Sequence, residues 1–333
     1  MGNRKSYNNP FIATYTGIRD LFRKHEKVGT LSPGDRLDGK RVLITGASSG
    51  LGFATAVELA RRGARVVMAC RSGIPEKGEE AKRLSGSGDI DMEYVDLSDL
   101  QSIADLVQQI KKKHFPLDIL ICNAAVVPKK SSKTAQGLEQ MFVVNYLAKY
   151  ALVNRLIRMN LFNRENGAIP RIIFVSSESH RNPKDFNLNG FGTYQDFNIG
   201  KVMELYGYYK LMLTTFAREL SRRLNNSGKT DYSVFAFCPG PVNTNIAREA
   251  PAIFQPLLKL IFSLFFKSPQ KACEPAVYLA ASPDMEGISW DYLFLMGRKM
   301  IDPKADDPEN GRKLWDVSEE VCKKTTGGIS IRG

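Results

Sequence analysis

Val42-Leu43-Ile44-Thr45-Gly46-Ala47-Ser48-Ser49-Gly50-Leu51-Gly52 is an apolar strand that runs into a glycine-rich turn and then into small residues opening a helix. The uninterrupted apolar run suits a strand buried on both faces. Glycine, lacking a Cβ, lets the backbone of such a turn come close to another group. Free N–H groups at the helix start favour an anion there. A glycine triplet alone would be only a tight turn; its place between strand and helix makes it a dinucleotide cradle. Gly46, Ser48, Ser49, Gly50, Leu51 and Gly52 are its expected lining.

Outward from this turn the same alternation continues. Arg65–Ala69 and Ile90–Val95 read as strands, with a helix at Glu76–Leu84 between them. Leu100–Lys113 has the period of an amphipathic helix, and Leu117–Cys122 is an apolar run. Leu138–Met159 is a long helix, Arg171–Val175 a strand, Val202–Leu224 a helix and Tyr232–Phe237 a strand. Helical segments follow near 253–266 and 270–281, with a last strand near Tyr292–Leu295. Apolar strands alternating with helices predict an α/β fold, a doubly wound parallel sheet of the Rossmann type. No linker rich in Gly, Ser or Pro divides the pattern, so residues 41–300 are expected to form a single domain. Residues 1–40 read as a basic and aromatic extension, and 301–333 as a polar tail with a short helix at Gly311–Cys322.

The end of the second strand bears on the choice of dinucleotide. A carboxylate there takes the ribose hydroxyls of NAD and repels the extra phosphate of NADP. This chain has Ala69-Cys70-Arg71, with no acid before Glu76. Arg71 offers a planar fork to a 2′-phosphate, so NADP(H) is expected in preference to NAD(H).

Of the twelve tyrosines, Tyr206 has Lys210 four positions later. Residues i and i+4 share a helix face, which puts an ammonium beside the phenol. A free tyrosine titrates near pH 10, and a neighbouring cation favours its phenolate. A cofactor turn and a proton-transfer pair together indicate an oxidoreductase.

Bulk properties narrow the partners. Lys and Arg number 47 against 35 Asp and Glu, a net charge of +12. No zinc-finger or RNA-binding signature accompanies the charge, so nucleic acid is not expected. A phosphate-bearing cofactor and an acidic lipid surface fit it better. The five cysteines form no C-x-x-C pair and suit a reducing compartment. The three histidines, His25, His114 and His180, lack ligand spacing, so no metal site is expected. No apolar run reaches the roughly 18–20 residues of a membrane span. The N-terminus has no continuous apolar stretch of the signal-peptide kind. The expected location is cytoplasmic, with contact to a membrane surface as an addition.

With these residues in place, the chain over about 41–300 resembles the short-chain dehydrogenase/reductase family. Thr45–Gly52 is similar to that family's cofactor turn, and Tyr206 and Lys210 to its catalytic pair. Asp96-Leu97 resembles the adenine-contacting position, and Cys122-Asn123-Ala124-Ala125 stands where the family shows Asn-Asn-Ala-Gly. Asn145 matches the catalytic asparagine, and Ser177, the second of a serine pair, the substrate-orienting serine. Pro239-Gly240-Pro241-Val242-Asn243-Thr244 resembles the segment that holds the nicotinamide carboxamide. The resemblance thus implies catalytic roles for Asn145, Ser177, Tyr206 and Lys210. It implies cofactor contacts from Asp96, Leu97, Asn123, Ala124, Tyr206, Lys210, Pro239, Gly240, Val242 and Thr244. Within the family, Ala-Cys-Arg after the second strand looks most like retinol-dehydrogenase-type members. Cys122–Ala125 and Lys313-Leu314-Trp315 also resemble protochlorophyllide reductases, although Pro241 stands where those carry a cysteine. Ala125 in place of glycine and the 28 residues between Ser177 and Tyr206 depart from the common pattern; the longer stretch is expected to loop over the substrate mouth.

The implied chemistry is hydride transfer between a nicotinamide and a carbonyl or alcohol carbon, with Tyr206 as acid or base. Ser177 would hold the substrate oxygen, Lys210 would lower the tyrosine pKa and hold the ribose, and Asn145 would anchor a water. The apolar stretch 253–266 is open to three readings: a cover for a lipophilic substrate, a core helix, or a shallow membrane contact. Met1–Ser6 formally fits a myristoylation start. Two other classes stand beside the enzyme: a dinucleotide-binding sensor or scaffold without turnover, and a membrane-surface structural protein. The helices at 138–159 and 202–224 could pair in a homodimer or be satisfied within one chain.

Overall fold

The structure, a computed structural model, describes residues 26–240 and 268–325. Val242, Thr244, the segment 253–266 and most of the N-terminal extension lie outside the described residues.

Eight strands form one sheet in the order β3-β2-β1-β4-β5-β6-β7-β8. They are β1 Arg41–Thr45, β2 Arg65–Cys70, β3 Ile90–Tyr94, β4 Ile119–Cys122, β5 Arg171–Val175, β6 Ser233–Cys238, β7 Trp290–Phe294 and β8 Gly297–Arg298. The first seven run parallel, and the two-residue β8 turns back antiparallel on β7. β1 and β4 are neighbours although β2 and β3 intervene in the chain. The crossover direction reverses there, which opens a crevice at the strands' carboxyl ends.

The helices are α1 Gly50–Arg61, α2 Glu76–Ser85, α3 Leu100–Lys112, α4 Gln140–Phe142, α5 Ala148–Arg158, α6 Ile199–Leu224, α7 Pro269–Ala272, α8 Glu274–Ala281, α9 Pro303–Asp306 and α10 Pro308–Thr325. Two apolar clusters cover the sheet's opposite faces. One contains Ile103, Val107, Leu152, Leu213 and Phe216 from α3, α5 and α6. The other contains Ala56, Leu59, Val277 and Leu279 from α1 and α8. Strands β1, β4, β5 and β6 are almost wholly buried, as their apolar runs require.

The helix expected over 138–159 is not uniform. Between α4 and α5, Val143–Leu147 is a π turn, and Asn145 sits in its middle. π turns are rare and often mark functional sites.

Residues 26–40 and 301–325 belong to the fold further than the sequence pattern indicates. Val28 and Leu37 are buried in the second cluster, and the Val28 N–H donates to the Met296 carbonyl. The segment 301–325, expected as a polar tail, closes the first cluster. Ile301, Ala305, Leu314 and Cys322 are buried in it. Trp315 stands edge-on to Tyr150, with ring centroids 5.3 Å apart, and Ser318 lies 2.6 Å from the Tyr146 hydroxyl. One apolar residue per helical turn hidden among charges was enough to dock α10.

Candidate active site

The carboxyl ends of β1, β4, β5 and β6 carry the site. At β1, Gly46 has φ 67° and Gly50 φ 56°, left-handed values that glycine adopts without strain. A Cβ on Gly46 would meet Ala124 at 2.8 Å, and one on Gly52 would meet the Gly46 carbonyl and the Asn123 amide at 2.4 Å. The turn is thus pressed against the loop after β4. Asn123 locks it there: its Nδ2 donates to the Thr45 and Gly46 carbonyls, both at 3.0 Å, and its N–H to the Thr45 hydroxyl at 3.1 Å. Ser49 caps α1 with no side-chain hydrogen bond, and the first turn holds no acid. The first N–H groups of α1 therefore keep their capacity and partial positive charge for an anion. Leu51 is buried beneath them.

At the outer side, the Arg71 guanidinium is largely exposed and reaches Asp96 at 4.0 Å. Asp96 spends one carboxylate oxygen on the N–H and hydroxyl of Ser98. Leu97 is buried. The residues present fit a dinucleotide: a tightly packed glycine turn, an uncapped helix start, and a fork at the end of β2 with no carboxylate on that strand.

After β4 the chain is gripped again. Asn145, fully buried, accepts from the Val126 N–H and donates to the Val126 carbonyl, both at 2.8 Å. Both ends of its amide are engaged by backbone. Lys149, one turn on, is also buried and donates to the Ala124 carbonyl at 2.6 Å and to the Val144 carbonyl. Burial, with repulsion from Lys210 added, holds this amine well below the usual lysine range; Cys122 opposes.

Around β5 and β6, Tyr206, Lys210 and Ser177 come together. The Lys210 Nζ lies 5.5 Å from the centre of the Tyr206 ring and donates to the Val175 carbonyl at 2.8 Å. Burial brings Lys210 down to about 8. Tyr206 retains some exposed surface, yet burial around its hydroxyl pushes the phenol above its ordinary range; the Cys238 thiol adds to this and a hydrogen bond with Ser177 opposes it. The lowering expected from Lys210 is therefore not found in the protein alone: the phenol moves upward, with burial as the largest cause. Ser176 faces the core and bonds Thr214 at 2.7 Å, which leaves Ser177 as the serine of the site. Pro239 and Gly240 follow β6, with Gly240 at φ 73° against Leu295.

The pattern of residue types did not single out Lys149, Gly207 or His180. A Cβ on Gly207 would meet the Ser179 carbonyl at 2.9 Å, so α6 and the Ser177 loop touch backbone to backbone. His180, fully buried, joins the Ser177 carbonyl at 2.7 Å through Nδ1 and accepts the Asp302 N–H at 3.2 Å through Nε2. The i, i+4 separation of Asn145 and Lys149, equal to that of Tyr206 and Lys210, is the sequence signal that could have found Lys149. The residues between Ser177 and Tyr206 pack inward in part: Phe191 stands edge-on to Phe142 at 5.0 Å.

A dinucleotide cradle beside a serine–tyrosine–lysine group whose lysine is buried defines an oxidoreductase of the doubly wound α/β class. The short chain dehydrogenase family model matches residues 40–189. Human retinol dehydrogenase 14 is 36% identical over 300 residues, 85% of this chain and 86% of that protein. Mouse retinol dehydrogenase 13 is 34% identical over 93% of this chain and 92% of that protein. A crystal structure of an uncharacterised protein from Mycobacterium paratuberculosis superposes with a TM-score of 0.66 at 28% identity, covering 89% of this chain and 98% of that one. The chain belongs to the short-chain dehydrogenase/reductase family, which works with NAD(H) or NADP(H).

Proposed function

We propose that the protein is an NADP(H)-dependent oxidoreductase acting on a carbonyl or alcohol of a lipophilic substrate, with Tyr206 as its acid–base group. The observation that carries this reading is the meeting of Ser177, Tyr206 and Lys210 at the ends of β5 and β6, next to the cradle at β1. When bound, the dinucleotide supplies or accepts the hydride. Gly46, Ser48, Ser49, Gly50, Leu51 and Gly52 would hold its pyrophosphate, and Arg71 its 2′-phosphate. Asp96, Leu97, Asn123, Ala124, Lys210, Pro239 and Gly240 would flank the rest.

The elevated pKa of Tyr206 keeps it a phenol at neutral pH, ready to give its proton to a developing alkoxide. Ser177, bonded to that phenol, would hold the substrate oxygen in line. Lys210, cationic below about pH 8, would stabilise the phenolate left behind. Asn145, its amide engaged at both ends, would serve by fixing the loop at Val126.

The names of the relatives and the breadth of apolar sequence in 253–266 favour a retinoid, steroid, fatty aldehyde or aromatic ketone. Among the described residues no helix is long and apolar enough to cross a membrane; the net charge of +12 supports peripheral contact with anionic lipid, which liposome flotation checks. A homodimer is part of the same proposal, read by sedimentation, although Trp315 of α10 packs on Tyr150 and Phe216 of the long helices within one chain.

The test is an NADPH-oxidation screen over retinal, fatty aldehydes and aromatic and steroid ketones, repeated with NADH. Turnover should favour NADPH, and Tyr206→Phe should lower kcat at least ~10²-fold, the usual worth of an acid–base group. Near-parental turnover in that variant, or tight NADPH binding with no turnover on any carbonyl, overturns the reading; the latter would make the protein a sensor.

A further inference from the structure

Lys149 is a buried amine that the proton transfer just described leaves unused. Its residue is 2% exposed, and its Nζ joins the Ala124 carbonyl to the Val144 carbonyl. Ala124 belongs to the loop pinned to the cofactor turn through Asn123 and Thr45. Val144 belongs to the π turn that carries Asn145. One amine therefore connects the cradle's inner wall to the helix that supports the site.

The protonation state of this amine matters to the connection. A neutral amine has two N–H groups and a lone pair, whereas an ammonium has three N–H groups. The two carbonyls satisfy two N–H groups, and a third finds no acceptor among the described residues. The groups facing Lys149 are Lys210 of α6 and the Cys122 thiol of β4. Lys210 in turn faces Cys238 of β6 and the Tyr206 ring. Among the described residues no carboxylate pairs with either amine. An unpaired charge so deeply buried is costly, and a second one beside it more so.

We infer that Lys149 is a positioning residue: as a neutral amine it ties the Ala124 loop to the π turn, and proton uptake, which the Lys210 ammonium opposes, loosens that tie. Its effect on turnover rests on the dehydrogenase reading; its titration does not.

The first experiment uses the cofactor-free protein with ¹³C-labelled lysine side chains, the Lys149 signal being assigned by its loss in Lys149→Gln. Lys149 should titrate below ordinary lysines, and its midpoint should move upward in Lys210→Met. A midpoint in the ordinary range, or one unmoved by Lys210→Met, overturns the inference whatever the substrate is.

The second experiment compares steady-state kinetics. Lys149→Met keeps the length and loses the donors, and should raise the KM for the dinucleotide roughly tenfold, the worth of a hydrogen bond or two. Lys149→Gln keeps two N–H groups and cannot take up a proton, so it should recover part of that KM. In both variants the acid limb of the kcat/KM profile should lose a step that the parent shows. A profile of parental shape in Lys149→Gln makes the residue merely structural and overturns the inference. If the Met variant does not fold, the Gln variant and the titration still decide. A parent inactive on every carbonyl would remove the dehydrogenase reading and leave the titration result standing.

Discussion

The two sides of the crevice between β1 and β4 are built by different means. On the β1 side the working groups are backbone: the N–H groups opening α1, the left-handed Gly46 and Gly50, and Gly52 packed where no Cβ fits. On the β4–β6 side they are side chains, most of them buried and several titratable: Asn145, Lys149, Ser177, His180, Tyr206 and Lys210. A backbone site keeps its charge distribution at any pH and fails through shape. A side-chain site fails through protonation as well. The difference says which perturbation should reach which half.

Acid gives the largest expected effect and the sharpest way to break the comparison. Burial depresses His180 to about 4 from an ordinary 6.5. The folded state therefore favours neutral imidazole, and the unfolded chain takes up the proton first. Stability from this group is complete above about pH 6.5 and falls as the pH drops toward 4. The loss is about 3 kcal/mol at most, at 1.36 kcal/mol per unit. The Nδ1–H tautomer bonds Ser177, so acid removes the Nε2 acceptor of the Asp302 N–H. Hydrogen exchange of the cofactor-free protein should show the 301–306 segment losing protection near pH 4.5 while the turn at 46–52 keeps its own. Simultaneous loss at both places would break the comparison. Chemical denaturation of His180→Gln should show a shallower stability loss over the same range.

Shape is the corresponding probe of the β1 side. Gly52→Ala puts a methyl 2.4 Å from the Gly46 carbonyl and the Asn123 amide. Overpacking of this kind costs about 1–3 kcal/mol, so calorimetry should find dinucleotide affinity down roughly tenfold to a hundredfold. Turnover at saturating cofactor should stay near the parent's, since no proton-transfer group moves. A variant that binds normally but turns over slowly would assign the glycine to the wrong half.

The same contrast explains what could be read from the sequence. The cradle was legible because glycine spacing reports backbone demands locally, and the strands because buried parallel strands are uniformly apolar. Tyr206 and Lys210 were legible because one helix turn carries both. Lys149 was not: nothing beside it in the chain shows that it meets Ala124, 25 residues away. The π turn at Asn145 escaped for a related reason, since its apolar neighbours suit an α-helix as well. The docking of α10 was hidden by charge, because its few apolar contacts, among them Leu314, Trp315, Val321 and Cys322, are scattered among charged residues. The direction of the Tyr206 shift depended on the density around its hydroxyl, which spacing does not give.

Arg71 tests whether the β1 side reads its cofactor by charge at the rim. The guanidinium is exposed and only loosely held by Asp96, so little protein structure depends on it. A hydrogen bond to a charged group is worth about 1.5–3 kcal/mol, and exposure favours the low end. Arg71→Ala should therefore weaken NADPH binding roughly tenfold and leave NADH nearly unchanged, measured by fluorescence titration of both. Equal losses for the two would show that the rim does not discriminate.

Gly207 carries the smallest expected effect, and it crosses the comparison. It lies in the side-chain half yet is required for a backbone reason: its Cα faces the Ser179 carbonyl, and an added Cβ would stand 2.9 Å from that oxygen. The obstacle is main chain, so relief requires α6 and the Ser177 loop to separate by a few tenths of an ångström. Tyr206 precedes the glycine on α6, and Ser177 opens the loop with its hydroxyl accepting the Ser179 N–H at 3.2 Å. The separation would therefore stretch the bond between Ser177 and the phenol without touching the cradle. Gly207→Ala should lower kcat about fivefold, equivalent to about 1 kcal/mol, with dinucleotide affinity unchanged. The alkaline limb of the kcat profile belongs to Lys210, cationic below about pH 8, and should stay where the parent has it. A limb that moves with the rate would place the fault at Lys210 rather than in the contact between the two hydroxyls.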